Sequence, residues 1–344
     1  MNLKFAIRYG VDPNSAIRHS YFNFKTMSIM LEEFSKKLYS ALEESCNLSK
    51  SNLISLSGGL DSSVIAYFLK QRRPKAVAVI ADDFVSTDLT YCQMISKEMQ
   101  LPLTIHNVKT DLILEAVEET IKILKNFNDI EIRNNVVMYL AIKWAKDNNE
   151  KSIITGDGAD ELFAGYSFLI NKPEEELEKE IRRVCSVMHF PTQKIGKALG
   201  VNVESPFLNE KVVKLANEIP VNLKVKNEKG KRHGKWIIRK TFEKYIPQQI
   251  AWREKSPMQE GSGTSGLTNL FESIIGEEKF VEKKLIVEKE DGVVIRSRES
   301  MHYYEIFKKL FGSPVDINVE KICPYCKHSV GKSKFCRMCG AFPI

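Results

Sequence analysis

Long hydrophobic runs are missing from this chain of 344 residues. No apolar stretch approaches the ~18 residues that a membrane-spanning helix needs, so we expect no membrane partner. The first residues lack the apolar core and the cleavage site of a signal peptide, which predicts a cytoplasmic location. Strong charge imbalance is also absent. The net charge of +7 suits an anionic substrate or weak nucleic-acid contact and does not decide between them.

A disulfide framework and two familiar nucleotide motifs are lacking as well. The seven cysteines are an odd number, with one tight cluster near the C-terminus. Residues 261–266 satisfy Gly-x-Gly-x-x-Gly, but no apolar strand precedes them, so we expect a flexible glycine loop within 251–267. Residues 331–333 hint at a Walker A loop, yet Cys326 stands where that loop requires glycine.

The stretch at residues 51–69 organises the chain. An apolar run predicts a buried strand, and a second apolar run with helical spacing begins at Val64. The turn between them can aim several N–H groups at one point, because glycine permits positive φ and removes Cβ atoms. We therefore predict a phosphate or pyrophosphate site, with Asp61 holding a bridging Mg²⁺. The alternative is a simple capping turn. The candidate residues are Ser57, Gly58, Gly59, Leu60, Asp61, Ser62 and Ser63.

A second acidic glycine turn lies at residues 152–166, after a short apolar strand. Because the carboxyl ends of parallel strands meet at one edge of a sheet, the two turns should converge. Asp160 is then a candidate to join Asp61 on one Mg²⁺. The alternative is that Asp160 caps a helix and Glu161 compensates its dipole.

The order of elements predicts an α/β fold with a doubly wound parallel sheet and a helical C-terminal part. Residues 1–27 are predicted to be a lead of two short strands or irregular chain, followed by a helix that Ser28 caps. We expect the main domain at residues 28–318 and a zinc ribbon at residues 319–344. The remaining expectations are strands at 76–81 and 101–108, helices at 87–100, 111–126, 129–145 and 184–200, and a basic loop at 224–240.

The C-terminal cysteines form two Cys-x-x-Cys turns that are nine residues apart. Four thiolates brought together in this way predict a closed tetrahedral Zn²⁺ site, with a redox pair as the alternative. The tail is too short for a core of its own, so metal should fold it. Such a ribbon can hold tRNA or a protein, or can brace the C-terminus. The predicted ligands are Cys323, Cys326, Cys336 and Cys339.

The glycine turn resembles the pyrophosphate loop of the N-type ATP pyrophosphatases, and most of all that of the asparagine synthetases. Residues 129–140, 152–166, 204–209, 235–239, 253–255 and 298–307 resemble further motifs of the same family, so the resemblance runs from about residue 28 to 312. It implies an adenine nucleotide alpha hydrolase-like fold and an AMP-forming ligase. In that reaction ATP and Mg²⁺ convert a carboxylate to an acyl-adenylate, which an amine then attacks.

The resemblance also implies roles for individual residues. Lys255 would offset charge on the α-phosphate, Asp157 would align the substrate, and Gly156 would contact ATP. Lys235 and Arg239, one helical turn apart, would hold departing pyrophosphate. The chain departs from the family where Asp157 and Glu204 replace a glutamate and an arginine, and where Asn209 replaces an aspartate. The carboxyl group of Asp157 reaches about 1.3–1.5 Å less far than that of glutamate.

Full-length asparagine synthetases begin with a glutaminase domain whose nucleophile is a cysteine directly after the initiator methionine. Asn2 occupies that position, so we expect this domain to be absent and ammonia, another amine or a separate amidotransferase subunit to supply nitrogen. Two alternatives remain. One is an adenylating tRNA-modification enzyme whose ribbon holds RNA, and the other is a non-catalytic nucleotide-binding scaffold.

Overall fold

The structure, a computed structural model, describes residues 13–228, 230–315, 321–331 and 333–344, with side chains from residue 26 onward. These residues form two compact units. The smaller unit comprises the chain up to residue 48 with residues 158–188 and 206–245. The larger unit comprises residues 49–157, 189–205 and 246–344. Within the described ranges no helix is long and apolar enough to cross a bilayer.

The strands are short and belong to two sheets. Their bounds are β1 Leu53–Ser55, β2 Lys75–Ala81, β3 Leu103–Val108, β4 Ser152–Ile154, β5 Asn202–Glu204, β6 Lys226–Glu228 and β7 Lys231–His233.

The helices make up most of the remaining regular structure. Their bounds are α1 Pro13–Leu48, α2 Leu60–Leu69, α3 Leu89–Met99, α4 Thr110–Leu124, α5 Asp129–Asp147, α6 Ala159–Leu162, α7 Ser167–Ile170, α8 Glu174–Ser186, α9 Pro191–Leu199, α10 Glu210–Glu218, α11 Val221–Lys224, α12 Trp236–Phe242, α13 Gln248–Ala251, α14 Met258–Ser262, α15 Gly266–Ile274, α16 Glu277–Asp291 and α17 Arg298–Phe311.

The larger unit is built on a five-stranded parallel sheet in the order β3-β2-β1-β4-β5. The chain runs outward from β1 through β2 to β3, then returns to the other side of β1 for β4 and β5. Ile54 of β1 pairs with Ile154 of β4, so the two strands lie side by side where the strand order reverses. Open α/β sheets bind ligands at this position, outside the carboxyl ends of the strands. The predicted α/β fold with a doubly wound parallel sheet is confirmed.

The core of the larger unit explains why these short strands form. Residues 76–81 of β2 are buried on both faces, as expected for a strand covered by helices on each side. The amphipathic helices α4 and α5 contribute Val117, Ile121 and Ile142 to one apolar cluster. The four C-terminal cysteines belong to the same cluster, so the tail packs into the core of the larger unit.

The first helix corrects one prediction. Helix α1 begins at Pro13, so residues 13–27 are neither strand nor irregular chain, and Ser28 lies inside the helix. Residues 1–12 lie outside the described part. Leu38 and Leu42 of α1 are fully buried, and the ring of Tyr39 stacks on Phe242 at 5.9 Å between centroids. Packing on α12 stabilises a helix whose first turns carry a weak periodic signal.

Three further expectations were wrong in part. The helix predicted at 184–200 is interrupted, because α8 ends at Ser186 and α9 starts at Pro191, a favoured first helical residue. The basic loop contains the antiparallel hairpin β6–β7, with Gly230 in the turn at φ 82°. The predicted flexible glycine loop contains helix α14, and residues 261–264 are buried.

Candidate functional site

The glycine turn after β1 packs tightly against the first turn of helix α3. Gly58 has φ 63°, and a Cβ atom there would lie 2.6 Å from the backbone of Tyr91 and Cys92. The N–H of Gly59 donates to Ser57 Oγ at 3.3 Å, and the N–H of Ser57 donates to Ser62 Oγ at 3.3 Å. Only glycine fits position 58, because that position combines positive φ with a backbone contact.

The start of helix α2 is suited to an anion. Gly59 occupies the N-cap position, and no side chain there accepts from the first N–H groups. Ser63 is fully buried, and among the described residues its Oγ atom has no hydrogen-bond partner. Uncapped N–H groups at the positive end of a helix bind phosphate groups.

The turn directly after β4 contacts the first turn of α2. A Cβ atom on Gly156 would lie 3.0 Å from the Cβ atom of Asp61 and 3.6 Å from the backbone nitrogen of Ser62. The turn after β4 therefore touches the first turn of α2. The contact brings Asp61 and Gly156, two predicted ATP contacts, to the same edge of the sheet.

In the smaller unit, Asp160 is paired with Lys235. The two atoms Lys235 Nζ and Asp160 Oδ1 are 2.6 Å apart, and only 3% of the Lys235 side chain is exposed. Gly165 permits this contact, because a Cβ atom there would lie 1.9 Å from Asp160 Oδ1. Arg239 is also buried and donates from Nε to the carbonyl oxygen of Gly234 at 2.9 Å. The predicted metal ligand Asp160 thus has a cationic neighbour, and its sharing of one Mg²⁺ with Asp61 stays a prediction.

The segment that carries Lys255 is anchored by Arg253. Arg253 Nη2 lies 2.7 Å from Asp88 Oδ1, and its guanidinium group stacks 3.8 Å above the centroid of the Tyr91 ring. Burial raises the pKa of Asp88, while the charges of Arg253 and Lys255 lower it. Lys255 itself is exposed. The structure therefore fixes the chain two residues before the predicted catalytic lysine.

The four C-terminal cysteines form a compact cluster of thiols. Their sulfur atoms all lie within 4.8 Å of one another, and all four side chains are buried. The Sγ atoms of Cys323 and Cys339 are 3.7 Å apart, and those of Cys326 and Cys336 are 3.6 Å apart. These distances are too long for a disulfide bond. Hydrogen bonds from Cys326 and Cys339 lower the pKa of Cys336 and favour its thiolate. Both the donor set and the spacing fit a tetrahedral Zn²⁺ ion.

Comparison with known proteins identifies the family of this chain. A family model described as asparagine synthase matches residues 33–182 and 171–316. The chain belongs to the asparagine synthase family. The glutamine-hydrolyzing asparagine synthetase B of Escherichia coli (strain K12) is 29% identical over 308 residues, which are 81% of this chain and 54% of that protein. The root asparagine synthetase of Pisum sativum is 29% identical over 237 residues, 62% of this chain and 40% of that protein.

The chain spans about half the length of the curated relatives it matches. The asparagine synthase match ends at residue 316, before the cysteine cluster. A solved NMN synthetase from Francisella tularensis aligns with 85% of this chain and 99% of that chain. Its sequence identity of 13% and TM-score of 0.36 are too low to support an argument.

The three residues at which we expect the chain to depart from the family pattern have hydrogen-bond partners in the structure. Asp157 Oδ2 accepts hydrogen bonds from Thr192 Oγ1 at 2.5 Å and Thr155 Oγ1 at 2.9 Å. Burial raises the pKa of Asp157, and these two bonds counteract the rise. Glu204 Oε2 accepts from the backbone N–H of Lys50 at 2.8 Å, and Asn209 caps α10. Glu204 therefore binds a backbone group that precedes β1, and Asn209 binds one in its own helix.

Arg133 lies in the segment 129–140 that resembles a family motif, and its candidate roles are positioning and substrate contact. Its side chain belongs to a buried network. Its Nη1 atom lies 3.3 Å from Glu299 Oε2, and Glu299 also accepts from Tyr303 Oη at 2.8 Å. Thr268 Oγ1 donates to the same carboxylate at 2.8 Å. These contacts favour the positioning role.

Sequence reasoning missed Asp88 and Tyr91, because their partners are distant in the chain. Another acidic pair follows β2. Asp82 and Asp83 are exposed, and Asp83 Oδ2 accepts from Thr110 N at 2.8 Å and Thr110 Oγ1 at 2.7 Å. Asp83 thus caps helix α4. A useful signal for Asp88 was its position before helix α3, where aspartate often serves as a cap.

Proposed function

We propose that this chain is an ATP-dependent, AMP-forming amide ligase. In this reaction a carboxylate is adenylated and then attacked by ammonia or another amine, with aspartate as the first acceptor to test. The observation that carries the proposal is the uncapped glycine turn at the point where the strand order of a parallel sheet reverses. Membership of the asparagine synthase family supports the same chemistry.

The residues around the turn fit a nucleotide triphosphate. The N–H groups at the start of α2 would bind phosphate oxygens, together with the hydroxyl groups of Ser57, Ser62 and Ser63. Gly59 has few neighbours, since a Cβ atom there would meet only Ser57 Oγ within 4 Å, at 3.3 Å. Phosphate could therefore approach the backbone closely.

Two carboxylates predicted from the sequence are the proposed ligands of a magnesium ion. Asp61 and Asp160 would hold it, and Mg²⁺ when bound would neutralise charge on the leaving pyrophosphate. Asp160 would share its charge between the metal and the Lys235 ammonium group 2.6 Å away. Lys235 and Arg239 are the proposed contacts of departing pyrophosphate, and their burial makes each charge effective.

In the proposed reaction a carboxylate oxygen of the acceptor attacks the α-phosphorus. The bond to the bridging oxygen breaks, and pyrophosphate leaves with the electron pair. Lys255 would stabilise the negative charge that develops on the α-phosphate, and Asp157 would orient the acceptor. The amine nitrogen then attacks the acyl carbon, AMP leaves, and the amine proton passes to solvent.

Exchange of labelled pyrophosphate into ATP tests the proposal. We expect exchange that depends on an acceptor carboxylate, measured with aspartate and a panel of other carboxylates, each with and without tRNA. Lys255→Ala should lower the exchange rate by about 10²–10³-fold while ATP binding remains, whereas Lys289→Ala, at an exposed position on α16, should leave both unchanged. Exchange that requires tRNA would instead favour a tRNA-modifying enzyme. ATP binding without exchange under every condition would favour a scaffold.

We also propose that Cys323, Cys326, Cys336 and Cys339 bind one structural Zn²⁺. The cluster supports the larger unit directly. Arg296 donates to the carbonyl oxygen of Cys339, and the N–H of Phe127 donates to the carbonyl oxygen of Met338 at 2.9 Å. A bracing role therefore has more structural support than a role in binding tRNA or a protein partner.

A further inference from the structure

An ion pair in the larger unit fixes the segment that precedes Lys255. Arg253 contacts Asp88 at 2.7 Å and Thr87 Oγ1 at 3.3 Å, and its guanidinium group lies on the Tyr91 ring. Only 9% of the Arg253 side chain and 10% of the Asp88 side chain are exposed. A guanidinium group that has both a carboxylate partner and an aromatic ring beneath it has little freedom to move.

Asp88 does not perform the usual task of an aspartate before a helix. It occupies the N-cap position of α3, yet its side chain accepts no capping hydrogen bond. Its carboxylate is directed to Arg253 instead. An uncapped helix start is unfavourable, so this orientation indicates that the ion pair has its own purpose.

The backbone around Asp88 is locked to helix α14. The N–H groups of Thr87 and Asp88 both donate to the carbonyl oxygen of Gly261, at 3.1 and 3.0 Å. A Cβ atom on Gly261 would lie 2.1 Å from Asp88 Oδ2. The carboxylate therefore packs against Gly261, where a residue with a Cβ atom would displace it.

The same helical turn supports the glycine turn. The backbone of Tyr91 and Cys92 lies directly beneath Gly58, and the Tyr91 ring lies beneath Arg253. Cys92 Sγ also donates to the carbonyl oxygen of Leu56 at 3.1 Å. Residues 88–92 thus connect the predicted phosphate-binding turn with the segment that carries Lys255.

We propose that Asp88 is a positioning residue, which acts through Arg253 to place Lys255 relative to the phosphate-binding turn. Two residues of chain span at most about 7 Å, so fixing Arg253 confines the starting point of the Lys255 side chain. The proposal rests on the proposed function, because it assigns Lys255 a charge to stabilise. It differs from a purely structural role because its effect should pass through Lys255 alone.

The test uses Asp88→Asn, which keeps the shape of the side chain and removes its charge. We expect the rate of pyrophosphate exchange to fall by about 10–100-fold, because misplacing a catalytic group by about 1 Å has an effect of this size on the rate. The dissociation constant of ATP should change by less than about 3-fold, because the phosphate contacts remain. Arg253→Lys keeps the positive charge but loses the planar guanidinium group with its paired N–H donors, and it should behave in the same way. Glu260→Gln is the matched control, since it removes one negative charge at an exposed position beside Gly261.

A double-mutant cycle separates positioning from general destabilisation. In a Lys255→Ala background, Asp88→Asn should cause no further loss of exchange activity, since the group that it positions is already absent. Fold losses that multiply in the double variant would overturn the proposal. So would unchanged exchange in both Asp88→Asn and Arg253→Lys.

A second measurement does not depend on activity. Trypsin cleaves after Arg253 and Lys255, and mass spectrometry reports how fast each bond is cut in the native protein. We expect Asp88→Asn to speed cleavage at these two bonds at least about 10-fold relative to Glu260→Gln, because local opening controls cleavage. Faster cleavage with no exchange in the wild-type protein would refute the ligase while retaining the anchoring of this segment. Unchanged cleavage would refute the anchoring itself.

Discussion

Substitution of the glycines in the turn after β1 gives the sharpest test of the candidate site. Gly58→Ala places a methyl group in a position with φ 63°, which costs about 1–2 kcal/mol for a residue with a Cβ atom. The same methyl group would lie 2.6 Å from the backbone of Tyr91 and Cys92. Backbone atoms cannot rotate away, so overpacking adds about 1–3 kcal/mol.

Gly200→Ala is the matched control for backbone strain. Gly200 has φ 74° and belongs to the same unit, but a Cβ atom there would meet nothing within 4 Å. The Gly200→Ala variant should lose only about 1–2 kcal/mol of the free energy of unfolding. In a unit of this size each kcal/mol lowers the melting temperature by about 2–4 °C. Gly58→Ala should therefore melt about 4–20 °C below wild type, and clearly below Gly200→Ala.

ATP binding then distinguishes a packed turn from a phosphate site. Titration calorimetry with ATP and Mg²⁺ should show at least about 10-fold weaker binding for Gly58→Ala and also for Gly59→Ala, since each gives up about 1.4 kcal/mol or more of phosphate contact. Gly59→Ala should barely change stability, because its nearest neighbour is Ser57 Oγ at 3.3 Å. Wild-type ATP affinity in both variants would refute the phosphate site. Equal melting temperatures for Gly58→Ala and Gly200→Ala would refute the packing argument.

Two further predictions concern the metal and a buried charge. Metal analysis should find one zinc per chain. Cys339→Ser or a strong chelator should lower the free energy of unfolding of the larger unit by at least ~3 kcal/mol in denaturant unfolding, because Phe127 and Arg296 bind the cluster backbone. Metal-free protein of unchanged stability would contradict this prediction. Burial lowers the pKa of Lys224 to about 8, so between pH 8 and 10.5 the unfolded chain binds more protons and native stability should rise with pH. Lys224→Met should therefore be more stable than wild type at pH 7, by at most ~3 kcal/mol, and this difference should shrink towards pH 10.5. A difference in stability that does not change with pH would show that the buried charge of Lys224 is not its cause.

The parts of the fold that the sequence predicts well are those with a local signal. The run at residues 76–81 is apolar throughout and becomes the central buried part of β2. Helices α4 and α5 begin within a residue of their predicted starts at 111 and 129. The carboxyl ends of parallel strands meet at one edge of a sheet, which predicts that the turns after β1 and β4 lie at that edge. The contact of Gly156 with Asp61 agrees with this placement.

Elements without a local signal could not be predicted. Strand β5 has three residues, too few for a periodic pattern, and forms because Ser152, Ile153 and Ile154 of β4 pair with it. Glycines 261 and 266 suggested a flexible loop. In the structure they permit close packing, since Cβ atoms there would lie 2.1 Å from Asp88 Oδ2 and 2.3 Å from Phe84 Cδ1. Sequence composition does not distinguish a glycine that frees the chain from one that lets two segments touch.

The roles of the acidic residues near the candidate site also depend on partners that are distant in the sequence. Asp61 and Asp88 lie at helix starts, where a local reading predicts a cap for each, whereas Asp83 follows strand β2 and lies 27 residues before Thr110. Asp83 does cap α4, but Asp88 leaves its helix uncapped and pairs with Arg253, a residue 165 positions away. Asp61 touches the turn that follows β4. The role of each carboxylate is therefore set by the group that the fold brings to it from a distant segment. If Asp88 did no more than begin a helix, a capping serine would replace it at no cost, so exchange activity that survives Asp88→Ser would show that its pairing with Arg253 is incidental.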